Sequence, residues 1–300
     1  MDAPHNYLVT GGTAGIGQAV ALRLAASGGR VLITGRDQAR GEQTLRALRL
    51  SAPGLDHRYL PADLSLLAQT ARLADAVEEA SPRLDAVVCC AGLLAAQAEH
   101  TSEGLERTLV VNYLSRHLLA RRLEPLLRTS TSGRLVLVAN AGRYRDSLDL
   151  DDLQLRHGRR GLVVSARTQF ANDLLATELH ERWSPDVQVT CIYPGVVRTD
   201  VFAHARGLRP PTRALARLAG RLLGAPPSEA AMTPAFLASD PAAASLGGRF
   251  FGPQLREIPI SARARARQRR TALWDASQAL VRPYLRPSQH PNTTHVRSHP

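Results

Sequence analysis

The sequence predicts an α/β fold: a single doubly wound domain built on a parallel sheet of about seven strands, with helices on both faces. Two observations carry this. Short apolar runs, the first at Tyr7–Thr10, alternate with longer amphipathic stretches, the pattern of strands buried on both faces and joined by crossover helices. The first run also leads straight into GGTAGIG and a helical segment, giving strand, glycine turn and helix in succession. At 300 residues, without a linker-like break or an internal repeat, one large domain suits the chain.

Each element follows in order. Gly11, Gly15 and Gly17 let the backbone pass close beneath a pyrophosphate. The helix expected over Gln18–Ser27 would then offer its free N–H groups and positive dipole end to that phosphate. Alone, these glycines also fit a plain turn, and their context decides between the two. A second strand, Val31–Thr34, ends in Gly35, Arg36 and Asp37. Arg36 stands where dinucleotide folds read the adenosine ribose, and a guanidinium there suits a 2′-phosphate, so NADP is expected in preference to NAD. A helix runs on to about Leu50. The third strand, His57–Leu60, leads to Asp63 and Leu64; Asp63 is expected to contact adenine, to cap a helix starting at Ser65, or both. Leu84–Cys90 is the fourth strand and ends in Ala91-Gly92. The run LVLVANAG at 135–142 holds the fifth, and Val187–Tyr193 is the sixth.

Composition narrows the class. The formal charge of +12 is carried entirely by arginine, since none of the 38 basic residues is lysine. That uniformity reads as GC-rich, bacterial coding bias rather than selection for phosphate contacts. The local clusters Arg121–Arg122, Arg159–Arg160 and Arg263–Arg270 read as solvated surface. No aromatics interleave them, which speaks against nucleic acid as a partner. Cys89, Cys90 and Cys191 have no histidines at zinc-ligand spacing and read as reduced thiols, pointing to a cytoplasmic protein without a metal. No secretory leader and no run of about 20 apolar residues is present, so no membrane span is expected. The partners expected are a small-molecule substrate and, for assembly, a second copy of the chain in a homo-oligomer.

The segments TGGTAGIG, Asp63-Leu64, CCAG at 89–92, Asn112 within VVNYL and PGVVRT at 194–199 fall in the order and spacing of the short-chain dehydrogenase/reductase superfamily. The chain resembles that superfamily over roughly residues 5 to 281. GRFFGP near 248–253 and ALWDASQAL at 272–280 are similar to the C-terminal section of its retinol-dehydrogenase-like group, without the N-terminal anchor of membrane-bound members. The resemblance implies a Rossmann domain in which Gly11, Thr13, Gly15, Ile16, Gly17 and Arg36 contact the cofactor. It places Asp63 and Leu64 at adenine and Ala91 and Gly92 at the ribose. The turn carrying Pro194, Gly195, Val197 and Thr199 would hold the nicotinamide carboxamide. Cys90 departs from the family's paired asparagines; with no basic neighbour evident, its thiol is not expected to be reactive.

The resemblance also implies a serine, a tyrosine and a lysine acting with an asparagine, the lysine lowering the pKa of a phenol that otherwise titrates near ~10. Here only Asn112 remains. Asn140 takes the serine position. When VSARTQFANDLL is set against the family-like VYARSKLANVLL, Ser165 takes the tyrosine position and Gln169 the lysine position. With no lysine in the chain, no shift of register restores the pair. Asn140 can still bond a carbonyl, and Gln169 the ribose hydroxyls. Ser165 is too short and too weak an acid to replace a phenol, and its helix face is expected to leave space for water or a bulkier substrate. Tyr144, four residues past Asn140, is the candidate substitute acid, with an exposed loop tyrosine as the alternative; Tyr193 is expected to pack at its strand end. Arg143, Arg145, His157, Arg159 and Arg160 flank this loop, either to receive an anionic substrate or as a solvated face.

Residues of about 201–228 occupy the place of a variable substrate lid, where Phe202, Leu208 and Leu215 would line a pocket or hold the lid down. From about Arg282 to residue 300 the composition predicts a disordered tail. The leading function is therefore an NADP-dependent oxidoreductase with a non-standard active site, acting on a small organic molecule in bacterial biosynthesis. A catalytically silent NADP-binding sensor or partner protein is the first alternative. A non-redox dehydratase or cyclase is the second.

Overall fold

In the computed structural model, which describes residues 4–198, 207 and 210–286, the apolar runs become seven strands. These are β1 (Asn6–Thr10), β2 (Arg30–Gly35), β3 (Arg58–Pro61), β4 (Ala86–Cys89), β5 (Gly133–Val138), β6 (Val187–Ile192) and β7 (Phe250–Phe251). They form one sheet in the order β3-β2-β1-β4-β5-β6-β7, and every pairing is parallel. The central strands have no polar face because helices cover both sides: Leu8, Val9, Leu32, Ile33, Val88 and Leu135 are wholly buried. Strand order reverses between β1 and β4, where Thr10 lies opposite Cys89. The crevice beyond the carboxyl ends of these two strands is where such sheets take their ligands.

Several helices start or end away from their expected positions. The first spans Gly15–Ala26, because two of the turn's glycines belong to its opening residues. The third starts at Leu67 rather than Ser65. The Asp63 carboxylate accepts from Ser65 N at 2.9 Å, while Leu67 N and Ala68 N donate instead to Glu103, at 2.7 and 2.9 Å. The cap expected from Asp63 is thus supplied by a carboxylate from another part of the chain, which sequence spacing does not reveal. The lid region, in its described part, includes a helix over Pro210–Leu223; Phe202 and Leu208 lie outside the described residues.

The expected tail boundary is also displaced. Arg282–Tyr284 forms a 3₁₀ turn, and Arg122 donates to the carbonyls of Tyr284 and Arg286 at 3.3 Å. The fold therefore continues beyond 281, through residue 286. Arg122 is itself buried and bonds Asp75 at 2.5 Å. Arg116, Arg134, Arg167 and Arg270 are buried as well. Solvated surface is thus the wrong reading for part of the arginine complement. A guanidinium offers five donors in a planar fork, so it can bond several carbonyls and a carboxylate at once inside a fold.

Candidate cofactor and reaction site

The glycine turn has the tight geometry a phosphate cradle requires. Gly11 and Gly15 have φ of +64° and +55°, values that side chains other than glycine rarely adopt. A Cβ on Gly17 would lie 2.3 Å from the Gly11 carbonyl oxygen, and one on Gly11 would lie 2.8 Å from the Ala91 backbone. The helix Gly15–Ala26 begins after Ala14 without a side-chain cap, leaving its first N–H groups free for an anion. Thr13 stands against Gly35 at the end of β2, 2.5 Å from where a Cβ would sit. Arg36 is exposed beside it and has no carboxylate partner among the described residues. Its neighbour Asp37 is engaged elsewhere, capping the next helix through Arg40 N at 3.1 Å.

Across the crevice, Ala91 N donates to Thr10 Oγ1 at 3.2 Å, tying the ends of β1 and β4 together. Gly92 lies beside Asn112: a Cβ there would be 3.5 Å from its Oδ1. Leu64 is buried and Ile16 half-buried. Gly195 has φ +83° and turns the chain after Pro194, and Val197 bridges Ala225. Thr199 lies outside the described residues. Arg116 is a neighbour that sequence reasoning missed. Buried on the helix Ser115–Arg128, it donates to the carbonyls of Ala91 and Val138, both at 2.8 Å, and to Asn172 Oδ1 at 3.1 Å. The Cys90 thiol therefore does have a cationic neighbour, but burial outweighs it and pushes the thiol far above its usual range. The same effect takes Cys89 to about 11.

The helix Val163–Trp183 carries Ser165 and Gln169. Arg167 fixes its first turns: the guanidinium donates to Glu106 at 2.5 Å and to the Leu153 carbonyl at 2.8 Å, and Glu106 is fully buried. The Ser165 hydroxyl both donates to Ala95 O and accepts from Ala95 N, each at 2.8 Å. It is 4% exposed. The open space expected at this position is therefore not found. Residues 95–98 lie over the helix start, held also by the bonds Gly161 N to Ala96 O (2.8 Å) and Ala98 N to Arg159 O (3.2 Å).

Asn112 sits in a π-helical turn, Val110–Leu114, and is fully buried. Its carboxamide accepts from Leu93 N at 2.8 Å and donates to Leu93 O and Thr168 Oγ1, both at 3.0 Å. Gln169 is half-buried, and its Oε1 accepts from Asn140 N at 3.1 Å. A backbone N–H can only donate, so the carboxamide orientation is fixed and Nε2 is directed away from Asn140. The Asn140 side chain is half-buried and has no hydrogen-bond partner among the described residues. Tyr144 is exposed. Tyr193 instead lies under Arg143, whose guanidinium carbon is 5.1 Å from the ring centroid. Arg145, His157, Arg159 and Arg160 are exposed, and His157 pairs with Asp152 at 3.1 Å.

The structure adds a carboxyl that sequence reasoning did not single out. Asp173 lies one helical turn after Gln169, is 2% exposed, and accepts from Gly142 N at 3.1 and 3.3 Å. Burial pushes its carboxyl up to about 7, the Gly142 N–H acting weakly in the opposite direction. Its signal was present in the sequence: Asp173 stands where the family-like pattern has valine.

Sheet order, crevice and glycine cradle define a doubly wound α/β protein with the phosphate turn of the dinucleotide-binding folds. The family profile described as short chain dehydrogenase matches residues 5–146. The chain is similar to polyprenol dehydrogenase of Mus musculus, 33% identical over 276 residues that cover 89% of this chain and 81% of that protein. It is also similar to retinol dehydrogenase 14 of Homo sapiens, 30% identical over 290 residues covering 91% and 85%. Among solved structures, the Pseudomonas aeruginosa RhlG/NADP active-site complex superposes with a TM-score of 0.65 at 28% identity, covering 83% of this chain and 94% of that one. The protein belongs to the short-chain dehydrogenase/reductase family, with relatives in its retinol dehydrogenase group. Among the described residues no helix is long and apolar enough to cross a membrane.

Proposed function

We propose that this protein binds NADP(H) and reduces small organic acceptors without the phenol–lysine pair of its family. Acceptors that are already electrophilic (an iminium, a quinone, a conjugated enone) suit the site best. The observation that carries this reading is the commitment of the two altered positions beside a cradle that needs its glycines. Ser165 spends its hydroxyl on Ala95, and Gln169 spends its carbonyl on Asn140 N.

A Cβ on Gly11 or Gly17 would strike backbone, Gly15 has φ +55°, and the helix behind them has no side-chain cap, so these residues fit a pyrophosphate. Arg36 supports the 2′-phosphate of NADP over the free hydroxyl of NAD. Ala91 and Gly92 would line the ribose, with Asp63 and Leu64 toward adenine, and Pro194, Gly195 and Val197 would face the carboxamide. When bound, NADPH supplies the hydride. Gln169 Nε2 and Asn140 Nδ2 then offer neutral N–H donors to an oxygen that gains charge, but neither is an acid at neutral pH. Leu162 and Val163, 56% and 36% exposed, offer apolar surface to the body of an organic substrate.

For acceptors that do require a proton, exposed Tyr144 is the proposed donor, its hydroxyl having no hydrogen-bond partner among the described residues. Tyr144→Phe should then slow such substrates by ~10²-fold or more, the usual worth of a positioned acid; an unchanged rate removes Tyr144 from the mechanism. The reading as a whole is tested by NADPH consumption with a panel of carbonyls, imines and quinones. Tight NADPH binding without turnover across that panel would establish the second reading, a silent cofactor-binding protein, which the complete engagement of Ser165 also fits.

A further inference from the structure

The helix that lost a phenol and a lysine has gained a buried carboxyl on the same side, and nothing in the reaction outlined above uses it. Asp173 follows Gln169 by four residues, so the two side chains project from one face a single turn apart. Both reach the same short segment after β5. Gln169 takes the N–H of Asn140 at 3.1 Å, and Asp173 takes that of Gly142 at 3.1 and 3.3 Å. The segment between is a tight turn closed by Arg143 N donating to Asn140 O at 3.0 Å, and Gly142 has φ +64°. A Cβ on Gly142 would lie 2.8 Å from Ile258 and 3.0 Å from the Pro259 carbonyl oxygen, so the turn is confined from outside as well. Two adjacent side chains of one helix thus hold the turn that bears Asn140.

We propose that Asp173 is a positioning residue: through Gly142 it sets the placement of the Asn140 turn, and through that turn the direction of the Asn140 and Gln169 donors at the cofactor crevice. Its surroundings let it respond to pH. Cys191 on β6 is a titratable group that feels its charge. Arg116 bonds Asn172, Ala91 and Val138. Arg143, on the turn itself, is exposed and lies over Tyr193. From the 258–260 side, apolar Ile258 and the Pro259 backbone face the turn. With no cation paired to it among the described residues, burial holds the carboxyl neutral up to about pH 7. Once ionised it becomes a charge-assisted and stronger acceptor for Gly142 N–H.

The inference rests on the cofactor-binding reading, and three proteins separate the two. Asp173→Asn keeps an acceptor for Gly142 but cannot ionise, whereas Asp173→Val removes the acceptor. The readouts are the Gly142 amide ¹⁵N resonance, NADPH Kd by fluorescence titration, and NADPH-dependent reduction of 9,10-phenanthrenequinone, each from pH 5.5 to 8.5. In the parent, the amide and the reduction rate should step together near pH 7, with the rate about 5-fold higher on the alkaline side, the effect expected of one strengthened bond. Asp173→Asn should be flat at the parent's acidic level, and Asp173→Val slower than both at every pH. A step that survives Asp173→Asn, or an amide that does not titrate in the parent, overturns the proposal. If none of the three proteins reduces the quinone, the enzymatic reading fails on its own and NADPH Kd decides the inference. A step of 3-fold or more confined to the parent sustains it; a flat Kd overturns it.

Discussion

Replacing Asp173 by asparagine should make the protein's stability less dependent on pH, by an amount the structure sets. The carboxyl is 2% exposed, accepts one backbone N–H, and is pushed by burial from 3.8 to about 7. An unfolded chain releases this proton near pH 4 while the folded chain keeps it until about 7. Within that window the folded state binds more protons, so its stability falls as pH rises, and the loss is complete above the folded value. Each unit of displacement is worth 1.36 kcal/mol, so between pH 5 and pH 8 Asp173 costs the fold about 3 kcal/mol that asparagine does not. Urea denaturation of both proteins at the two pH values isolates this quantity. Contributions from other carboxylates cancel in the comparison, as does any fixed penalty for burying an amide. The Asn variant should gain about 3 kcal/mol on the parent between pH 5 and pH 8. A difference unchanged within about 0.5 kcal/mol would refute the argument, because it would mean that water or a cation reaches the carboxylate in the folded protein.

Two further substitutions probe the halves of the crevice. Ser165→Ala removes both bonds to the Ala95 backbone and should cost about 2 kcal/mol by chemical denaturation, while leaving NADPH affinity within about 3-fold; a proton-donating Ser165 would instead show as lost turnover with stability intact. Arg36→Glu places a carboxylate at the expected 2′-phosphate position and should weaken NADPH binding by ~10- to 100-fold, the worth of a charge-assisted contact, with NADH affinity little altered. Equal losses for the two cofactors would remove Arg36 from the discrimination.

What the sequence disclosed followed from local rules. The inner strands of the sheet were legible because, buried on both faces, they read as unbroken apolar runs; the two-residue β7 at Phe250–Phe251 gave no such run. The glycine turn was legible because Gly11 and Gly15 take positive φ and a Cβ at Gly11 or Gly17 would strike backbone. The helix Val163–Trp183 was legible because a family pattern fixed its register. What escaped notice depended on contacts between distant segments. Glu103 caps a helix 36 residues away, so no spacing rule could assign it. Arg122 and Arg270 looked solvated because charge alone does not show that carboxylates and carbonyls await them inside the fold. The vacancy expected at Ser165 is filled by residues 95–98, whose course over the helix has no signature in composition. Asp173 was visible as a departure from valine, but its meaning depended on burial and on the Gly142 N–H.

The central claim is that the cofactor crevice works without a tyrosine acid lowered by lysine. It is tested most directly by comparing, with one enzyme preparation and saturating NADPH, the hydride-transfer rates to 9,10-phenanthrenequinone and to a plain ketone of similar size such as benzophenone. The account predicts quinone reduction, with the ketone slower by ~10² or more once Tyr144→Phe removes the substitute acid. Ketone reduction by that variant at a rate matching the quinone would contradict it.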